Sequence, residues 1–305
     1  MGADDELPRA LASGLADFLE SLRVEAGLAR NTLVAYRSDV ERFLRWARRR
    51  GVARWDRVTP VLVVDYLSAR RRAGLAEATV ARELSAVRMC LRHLVAIGRL
   101  LRDPAARIAA PVLRRALPHT LSVEEVERLL AAPAGDGWQA QRDRALLEIL
   151  YACGARISEA VGLRTDGLEP SLRVIRLTGK GGKTRIVPVG ARAKTAVDRW
   201  LAGGRTGLPG ASRRPEVFLS KSGRPLDRTS AWRRVKLAAL RAGLPAGISP
   251  HVLRHSFASH LIEGGADLRS VQEMLGHASV STTEIYTHLD HEHVRSLHRL
   301  YHPRA

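Results

Sequence analysis

The chain has 305 residues, a length that favours two domains with a hydrophobic core each. Its 50 Lys and Arg residues outnumber 31 Asp and Glu residues, which gives a formal net charge of +19. This excess indicates a polyanionic partner, above all nucleic acid, although a general preference for arginine is a simpler alternative. The sequence has no run of about 18 apolar residues and no signal peptide at its acidic N-terminus, so we expect a cytoplasmic protein that contacts no membrane.

Residues 1–104 are predicted to form a four-helix bundle. Asn31 is a candidate N-cap for the second helix, and Thr59 followed by Pro60 is the expected start of the third. Apolar residues at helical spacing define the faces that we expect to be buried: Leu11, Leu15, Phe18, Leu19 and Leu22 in the first helix, Val34, Val40, Phe43 and Leu44 in the second, Tyr66 and Leu67 in the third, and Val80, Leu84, Val87, Leu91 and Leu94 in the fourth.

A linker is predicted over residues 105–120, because this stretch contains two prolines and shows little periodicity. The second domain is expected to cover residues 121–305. It begins with a capping box formed by Ser122 and Glu125, and a new helix is expected to start near Arg156.

A β-hairpin is predicted in the second domain, where the β-rich runs 173–178 and 184–189 flank a Gly/Lys turn. The end of this turn is similar to a Walker A loop. However, Leu177 occupies the place of the first glycine and a strand follows instead of a helix, so we expect no nucleotide site. Lys180 and Lys183 in the turn are two of only five lysines in the chain, which suggests a task that arginine cannot perform.

Helices are predicted again towards the C-terminus. One covers residues 253–263, Asp267 caps the next, and a capping box at residues 281–284 places Tyr286 in the first turns of another. The expected fold is therefore mainly α: an N-terminal helical bundle, followed by a mixed α/β and mostly helical domain with a small antiparallel sheet.

Six side chains from separate elements are suited to chemistry on a phosphodiester. Arginine clamps phosphate oxygens with its planar fork of donors, histidine donates hydrogen bonds or moves protons near neutral pH, and tyrosine offers an oxygen nucleophile. The six candidates are Arg156, Lys180, His251, Arg254, His277 and Tyr286.

Three other classes of protein compete with this interpretation. A zinc hydrolase would use His251 and His255, but Val252 stands where its glutamate belongs and the cation of Arg254 would oppose a metal ion. A DNA-binding protein without catalysis would explain the charge but not Tyr286. A type IB topoisomerase would share the chemistry of the six side chains.

Five short motifs, in order and at compatible spacings, resemble the tyrosine recombinase (phage integrase) family, and within it the Xer site-specific recombinases. They are residues 155–159, residues 179–181, residues 251–255, residues 275–277 and Tyr286. The resemblance covers both domains, and it implies that the N-terminal bundle is the family's SAM-like core-binding domain and that residues 121–305 form its catalytic domain.

The resemblance implies a role for each candidate. Tyr286 would attack DNA and form a 3′-phosphotyrosyl intermediate, and Lys180, with Lys183 as the competing candidate, would protonate the departing 5′-oxygen. His251 is the expected proton acceptor. Arg156, Arg254 and His277 would hold the phosphate, Glu159 would orient its neighbours, and His255 would be structural. Neither a metal nor any other cofactor is expected.

The resemblance also implies partners. These are a dif-like site in double-stranded DNA, a sister Xer recombinase in a cyclic heterotetramer or a second copy in a homotetramer, and the FtsK DNA translocase. The segment after Asp290 is expected to pack on a neighbouring subunit. Resolution of chromosome dimers is the function that this implies, and a mobile-element or phage integrase with the same chemistry is the alternative.

Overall fold

A computed structural model of the chain forms two units with separate cores, Met1–Arg115 and Ala116–Ala305. The division between them falls inside the stretch predicted to be a linker. None of the described helices is long and apolar enough to cross a membrane. The structure describes residues 6–24, 26, 28, 30–111, 120–169, 173–276 and 296–305.

The first unit contains the four predicted helices: α1 (Arg9–Val24), α2 (Arg30–Arg48), α3 (Pro60–Arg72) and α4 (Glu77–Ala96). Helix α4 packs against the other three, and α1 also packs on α2. The side chain of Thr59 accepts a hydrogen bond from the backbone N–H of Leu62, which confirms the predicted cap of α3. With one exception, the apolar residues predicted to face the core are buried.

The exception is Val34, whose surface is 56% exposed, so the predicted burial of this residue is wrong. Leu33 and Tyr36 pack against the core in its place. They share a helical face with Val40, whereas Val34 lies beside that face. Helix α2 also begins at Arg30, so Asn31 lies inside the helix and is not its N-cap.

A buried carboxylate joins three helices of the first unit. Glu83 on α4 accepts hydrogen bonds from Arg42 of α2 at 2.7 Å, from Arg70 of α3 at 2.9 Å and from the Tyr66 hydroxyl at 2.7 Å. Burial works to raise the pKa of Glu83, but hydrogen bonds from Arg70 and Tyr66 outweigh it and hold the pKa below its ordinary value. The ionised carboxylate is therefore part of the folded bundle.

We expect Glu83→Ala to lower the free energy of unfolding of the first unit by about 3 kcal/mol, because it leaves Arg70 and Tyr66 beside a cavity without their acceptor. Urea unfolding of the full chain, followed by hydrogen exchange in α2–α4, measures the change. The control is Glu41→Ala, which removes an acid that pairs with Arg45 at the surface of α2 and should cost less than about 0.5 kcal/mol. Equal losses in the two variants would contradict the prediction.

The second unit is mostly helical around one small sheet, as predicted. Strands β1 (Leu168–Glu169), β2 (Val174–Thr178) and β3 (Thr184–Pro188) form an antiparallel sheet in the order β1-β2-β3. The helices are α5 (Val123–Ala131), α6 (Trp138–Ala152), α7 (Ile157–Val161), α8 (Ala191–Ala202), α9 (Arg228–Arg241), α10 (Pro250–Gly264) and α11 (Leu268–Leu275).

Helix α6 forms the centre of this unit. It packs against α8, α10, α5 and α7, and its residues Ala145–Ala152 are all buried. The predicted capping box of Ser122 and Glu125 is present at the start of α5, and the Asp267 side chain caps α11. Both confirm local predictions that do not depend on the tertiary fold.

The described end of the chain, residues 296–305, packs on its own unit. His298 donates a hydrogen bond to the carbonyl of Ala152 at 2.9 Å, and His302 stacks on His298 with ring centroids 4.5 Å apart. Arg304 forms ion pairs with Glu127 and Glu148. The expectation that the segment after Asp290 packs on a neighbouring subunit stays a prediction. Of the described residues 296–305, His298, His302 and Arg304 are buried against the second unit of this chain.

This docked segment should loosen in acid. Burial lowers the pKa of His298 to about 4, and burial together with His298 and His260 lowers that of His302 well below its ordinary value. Undocked histidine titrates near pH 6.5, so the undocked segment binds more protons below that pH. Docking is complete above about pH 6.5 and should weaken by about 1.4 kcal/mol per histidine for each pH unit towards 4.

Hydrogen exchange of residues 296–305 at pH 7.5 and 5.5 measures this effect. The matched control is His298→Gln, which keeps an N–H donor for the carbonyl of Ala152 and cannot titrate, so acid should loosen it less. Burial raises the pKa of Glu148, so protonation of this carboxylate in acid favours the docked segment. His298→Gln retains Glu148, so this effect is the same in both proteins. Identical acid responses in the two proteins would show that His298 is not responsible.

Candidate active site

The Gly/Lys turn connects β2 and β3 as predicted. Residues Lys180–Gly182 form a single 3-10 turn, closed by a hydrogen bond from the Gly179 N–H to the Lys183 carbonyl at 2.7 Å. Lys180 is therefore placed at the tip of the hairpin, and the side chain of Lys183 is exposed. The hairpin pairs in register from Val174 opposite Pro188 to Thr178 opposite Thr184, which gives the turn a regular base.

Arg156 is the N-cap residue of α7, where a helix was predicted to start. The buried carboxylate of Glu159 accepts a hydrogen bond from the Arg156 backbone N–H at 2.8 Å and another from its guanidinium at 2.9 Å. Arg156 and Glu159 therefore form an ion pair within the first turn of α7. The Arg156 side chain is nevertheless 39% exposed, so part of its fork of donors is open to a ligand.

Arg185 on β3 is a further residue of the site, and it was not among the six candidates predicted from the sequence. Its two terminal nitrogens donate to the two carboxylate oxygens of Glu159 at 2.9 and 2.8 Å, and its Nε donates to the Met274 carbonyl at 2.8 Å. The sequence contains one indication of this role. Arg185 is two residues before the buried Val187 on a strand, so both side chains lie on the same face of the sheet. A cation on the inward face of a strand indicates a partner.

Arg254 lies on α10 and is 9% exposed. Its two terminal nitrogens donate to the carbonyls of Gly154 and Leu275, each at 2.6 Å. The backbone of Gly154 approaches α10 so closely that a Cβ there would lie 2.5 Å from Phe257. These bonds fix the guanidinium with backbone oxygens and use two of its five N–H donors.

The charges of these side chains do not balance. Burial, and then the nearby cations Arg156 and Arg185, lower the pKa of Arg254 to about 10, so it stays charged at neutral pH. Burial works to raise the pKa of Glu159, but Arg185 and Arg156 hold it at about 2. Three guanidinium groups thus surround one carboxylate. The net positive charge is pre-arranged to bind an anion such as a phosphodiester.

His251 lies in the first turn of α10, one turn before Arg254, and its side chain is exposed. His255 is exposed as well, so the structural role predicted for it is not supported. Among the residues that the structure describes, no three His, Cys, Asp or Glu side chains are grouped closely enough to hold a metal ion.

Two predicted site residues, His277 and Tyr286, lie outside the described residues. His277 follows Gly276 directly in the chain, and Gly276 ends α11 in a left-handed conformation with a φ of 67°. The described part of the site therefore brings together Arg156 and Arg254, with His251 on the helix of Arg254 and Lys180 on the hairpin of Arg185.

Comparison with known proteins decides the family. Residues 119–293 match the Phage integrase family, and residues 15–98 match the N-terminal SAM-like domain of phage integrases. This chain belongs to the tyrosine recombinase, or phage integrase, family. The predicted family, and with it the assignment of the N-terminal bundle, is confirmed.

Relatives of this recombinase are similar over nearly their whole length. The Tyrosine recombinase XerD of Mycobacterium leprae is 44% identical over 97% of this chain and 98% of that protein. The Tyrosine recombinase XerD of Halalkalibacterium halodurans is 40% identical over 96% and 98%. This supports the predicted similarity to the Xer branch, and both of these relatives are named XerD.

Solved structures support the fold. The XerH site-specific recombinase bound to a palindromic difH substrate, in its post-cleavage complex, has a TM-score of 0.69 at 24% identity, over 93% of this chain and 83% of that chain. The lambda integrase (residues 75–356) bound to DNA has a TM-score of 0.69 at 19% identity, over 92% and 95%. The mainly helical fold with a small sheet is thus that of recombinases which bind DNA.

Proposed function

We propose that this site-specific DNA recombinase cuts and rejoins DNA through Tyr286 and resolves chromosome dimers at a dif-like site. The observation that carries the proposal is the buried Arg254 beside Arg156 and Arg185, with a single carboxylate among them. Attack on a phosphodiester adds negative charge to its non-bridging oxygens. Cations held by backbone carbonyls and a shared glutamate stabilise that charge without having to reorganise.

The remaining candidates complete the reaction. The Tyr286 oxygen bonds to phosphorus as the bond to the 5′-oxygen breaks. His251 accepts the phenol proton, and Lys180 gives a proton to the departing oxygen, which leaves as a hydroxyl. His277 donates a hydrogen bond to a non-bridging oxygen. The phosphotyrosyl bond keeps the energy of the cleaved bond, so a 5′-hydroxyl of the exchange partner can reverse the step.

The proposed partners follow from the family. Double-stranded DNA is the substrate class, in line with the relatives solved on DNA. A cyclic tetramer containing a sister Xer recombinase, and activation by the FtsK translocase, are further parts of the proposal. A cytoplasmic location is also part of the proposal.

Trapping on a nicked suicide substrate tests the function. We expect a covalent complex on a duplex with the dif-like site of the host, formed equally well in EDTA and increased by the sister recombinase. A complex that disappears in EDTA would indicate metal-dependent chemistry. DNA binding without any covalent complex would indicate a DNA-binding protein without catalysis. Equal trapping on unrelated duplexes would contradict the proposed specificity for a dif-like site.

A further inference from the structure

We infer that Arg185 is a positioning residue for the recombination reaction, which holds Glu159 and the end of α11 so that Arg156 and Arg254 face the phosphate. The inference rests on the proposed function. The Arg185 side chain is 10% exposed, and its three nitrogens donate to Glu159 and to the Met274 carbonyl, so it acts through other groups of the site.

Arg185 determines the balance of charge around Glu159. Arg185 binds both oxygens of Glu159 in a bidentate pair, the geometry in which a guanidinium binds a carboxylate most strongly. Without it, the buried carboxylate would have Arg156 as its remaining strong cation and would cancel that charge. With Arg185 present, Glu159 orients Arg156 and leaves a positive excess for the substrate.

Arg185 also holds the end of α11. The carbonyl of Met274 accepts from Arg185, and the next carbonyl, that of Leu275, accepts from Arg254. Gly276 packs on the Arg185 side chain, where a Cβ would lie 3.0 Å from its Cδ. Two arginines therefore hold the same helix end, one residue before His277.

Arg185 also lies on the hairpin that carries Lys180. Arg185 is the second residue of β3, the strand that follows the Lys180 turn. On the other side of the turn, a Cβ on Gly179 would lie 3.2 Å from Glu159 Oε1, so the residue that follows β2 also lies beside this carboxylate. Arg185 consequently connects the hairpin that carries Lys180 to α7 and to α11.

The test is the single-turnover rate of covalent complex formation at saturating dif-like suicide substrate. We expect Arg185→Gln to slow this step by about 10²-fold, the effect of a misplacement of roughly 1 Å, with DNA affinity within about twofold of the wild type. Arg185→Lys keeps the positive charge but loses the planar fork of guanidinium donors. Its cleavage rate should therefore lie between that of the wild type and that of Arg185→Gln. The matched control is Arg164→Gln, because Arg164 forms the same kind of bidentate pair with Asp166 at the surface.

A double-mutant cycle separates positioning from general stability. If Arg185 acts through Glu159, Arg185→Gln should slow cleavage far less in the Glu159→Gln background than in the wild type. Thermal unfolding of all variants measures how much each substitution destabilises the protein, so that a loss of rate can be compared with a loss of folded protein.

Three outcomes would overturn the inference: cleavage by Arg185→Gln within about threefold of the wild type, an equal loss in both backgrounds, or losses in Arg185→Gln and Arg185→Lys that follow the fraction of unfolded protein. Absence of a covalent complex in the wild type would instead overturn the proposed function, so the two failures are distinguishable.

Discussion

Replacing Tyr286 with phenylalanine should abolish covalent attachment to a suicide substrate and leave DNA binding within about twofold. Phenylalanine keeps the ring and lacks the oxygen that attacks phosphorus. The expected loss is on the order of 10⁶-fold in cleavage, the size seen when other enzymes lose a covalent nucleophile. Denaturing gels measure the adduct, and gel shift of the same duplex measures binding.

Tyr301→Phe is the matched control, because Tyr301 is the only other tyrosine after residue 151 and lies in the docked C-terminal segment. Its hydroxyl has no part in the proposed chemistry, so this variant should form the adduct at the wild-type rate. An adduct that persists in Tyr286→Phe would assign the nucleophile to another residue. If DNA binding fell together with cleavage, the variant would instead report a folding defect.

The sequence predicted features whose cause is local. Thr59, Ser122 and Asp267 cap their helices as expected, because a side chain that accepts from an N–H three residues later needs no distant partner. The hairpin could be predicted for the same reason, because two runs rich in β-branched residues flank a Gly/Lys turn. The positions of Arg156 and Arg254 were predicted by motif spacing and by the family resemblance.

Features that depend on tertiary packing were missed. Val34 fits the helical spacing of a buried face, yet Leu33 and Tyr36 contact the core, because the neighbouring helices determine which side of a broad apolar face is covered. Arg185 was passed over for a related reason. Its partners, Glu159 and the Met274 carbonyl, are 26 and 89 residues away, and no short motif links them.

The C-terminal segment shows the same limit. No burial was predicted for His298 or His302, and the resemblance implies that the segment after Asp290 packs on a neighbouring subunit. In the folded chain the two rings stack on each other, and His302 packs beside Tyr151 and Phe257. The single acceptor that orients His298 is a backbone carbonyl, which carries no trace in the sequence.

Arg254→Ala should slow cleavage by on the order of 10²–10³-fold or more, equivalent to several kcal/mol of transition-state stabilisation. The guanidinium is fixed before substrate arrives, since the Gly154 and Leu275 carbonyls hold it on two sides. Substrate binding uses many other phosphate contacts, so affinity for DNA should change much less than the rate. Single-turnover cleavage at saturating DNA separates the two quantities.

The same substitution should also affect stability, because it leaves two buried carbonyls without donors, at about 1–3 kcal/mol for each such group. Arg254→Lys keeps a positive charge, but its compact ammonium cannot reproduce the fork that reaches both carbonyls and a phosphate. We therefore expect the lysine variant to fold better than the alanine variant and still to cleave at least about tenfold more slowly than the wild type. A lysine variant with the wild-type rate would mean that charge alone suffices at this position. An alanine variant that cleaves normally would remove Arg254 from the phosphate clamp, and with it the observation on which the proposed function depends.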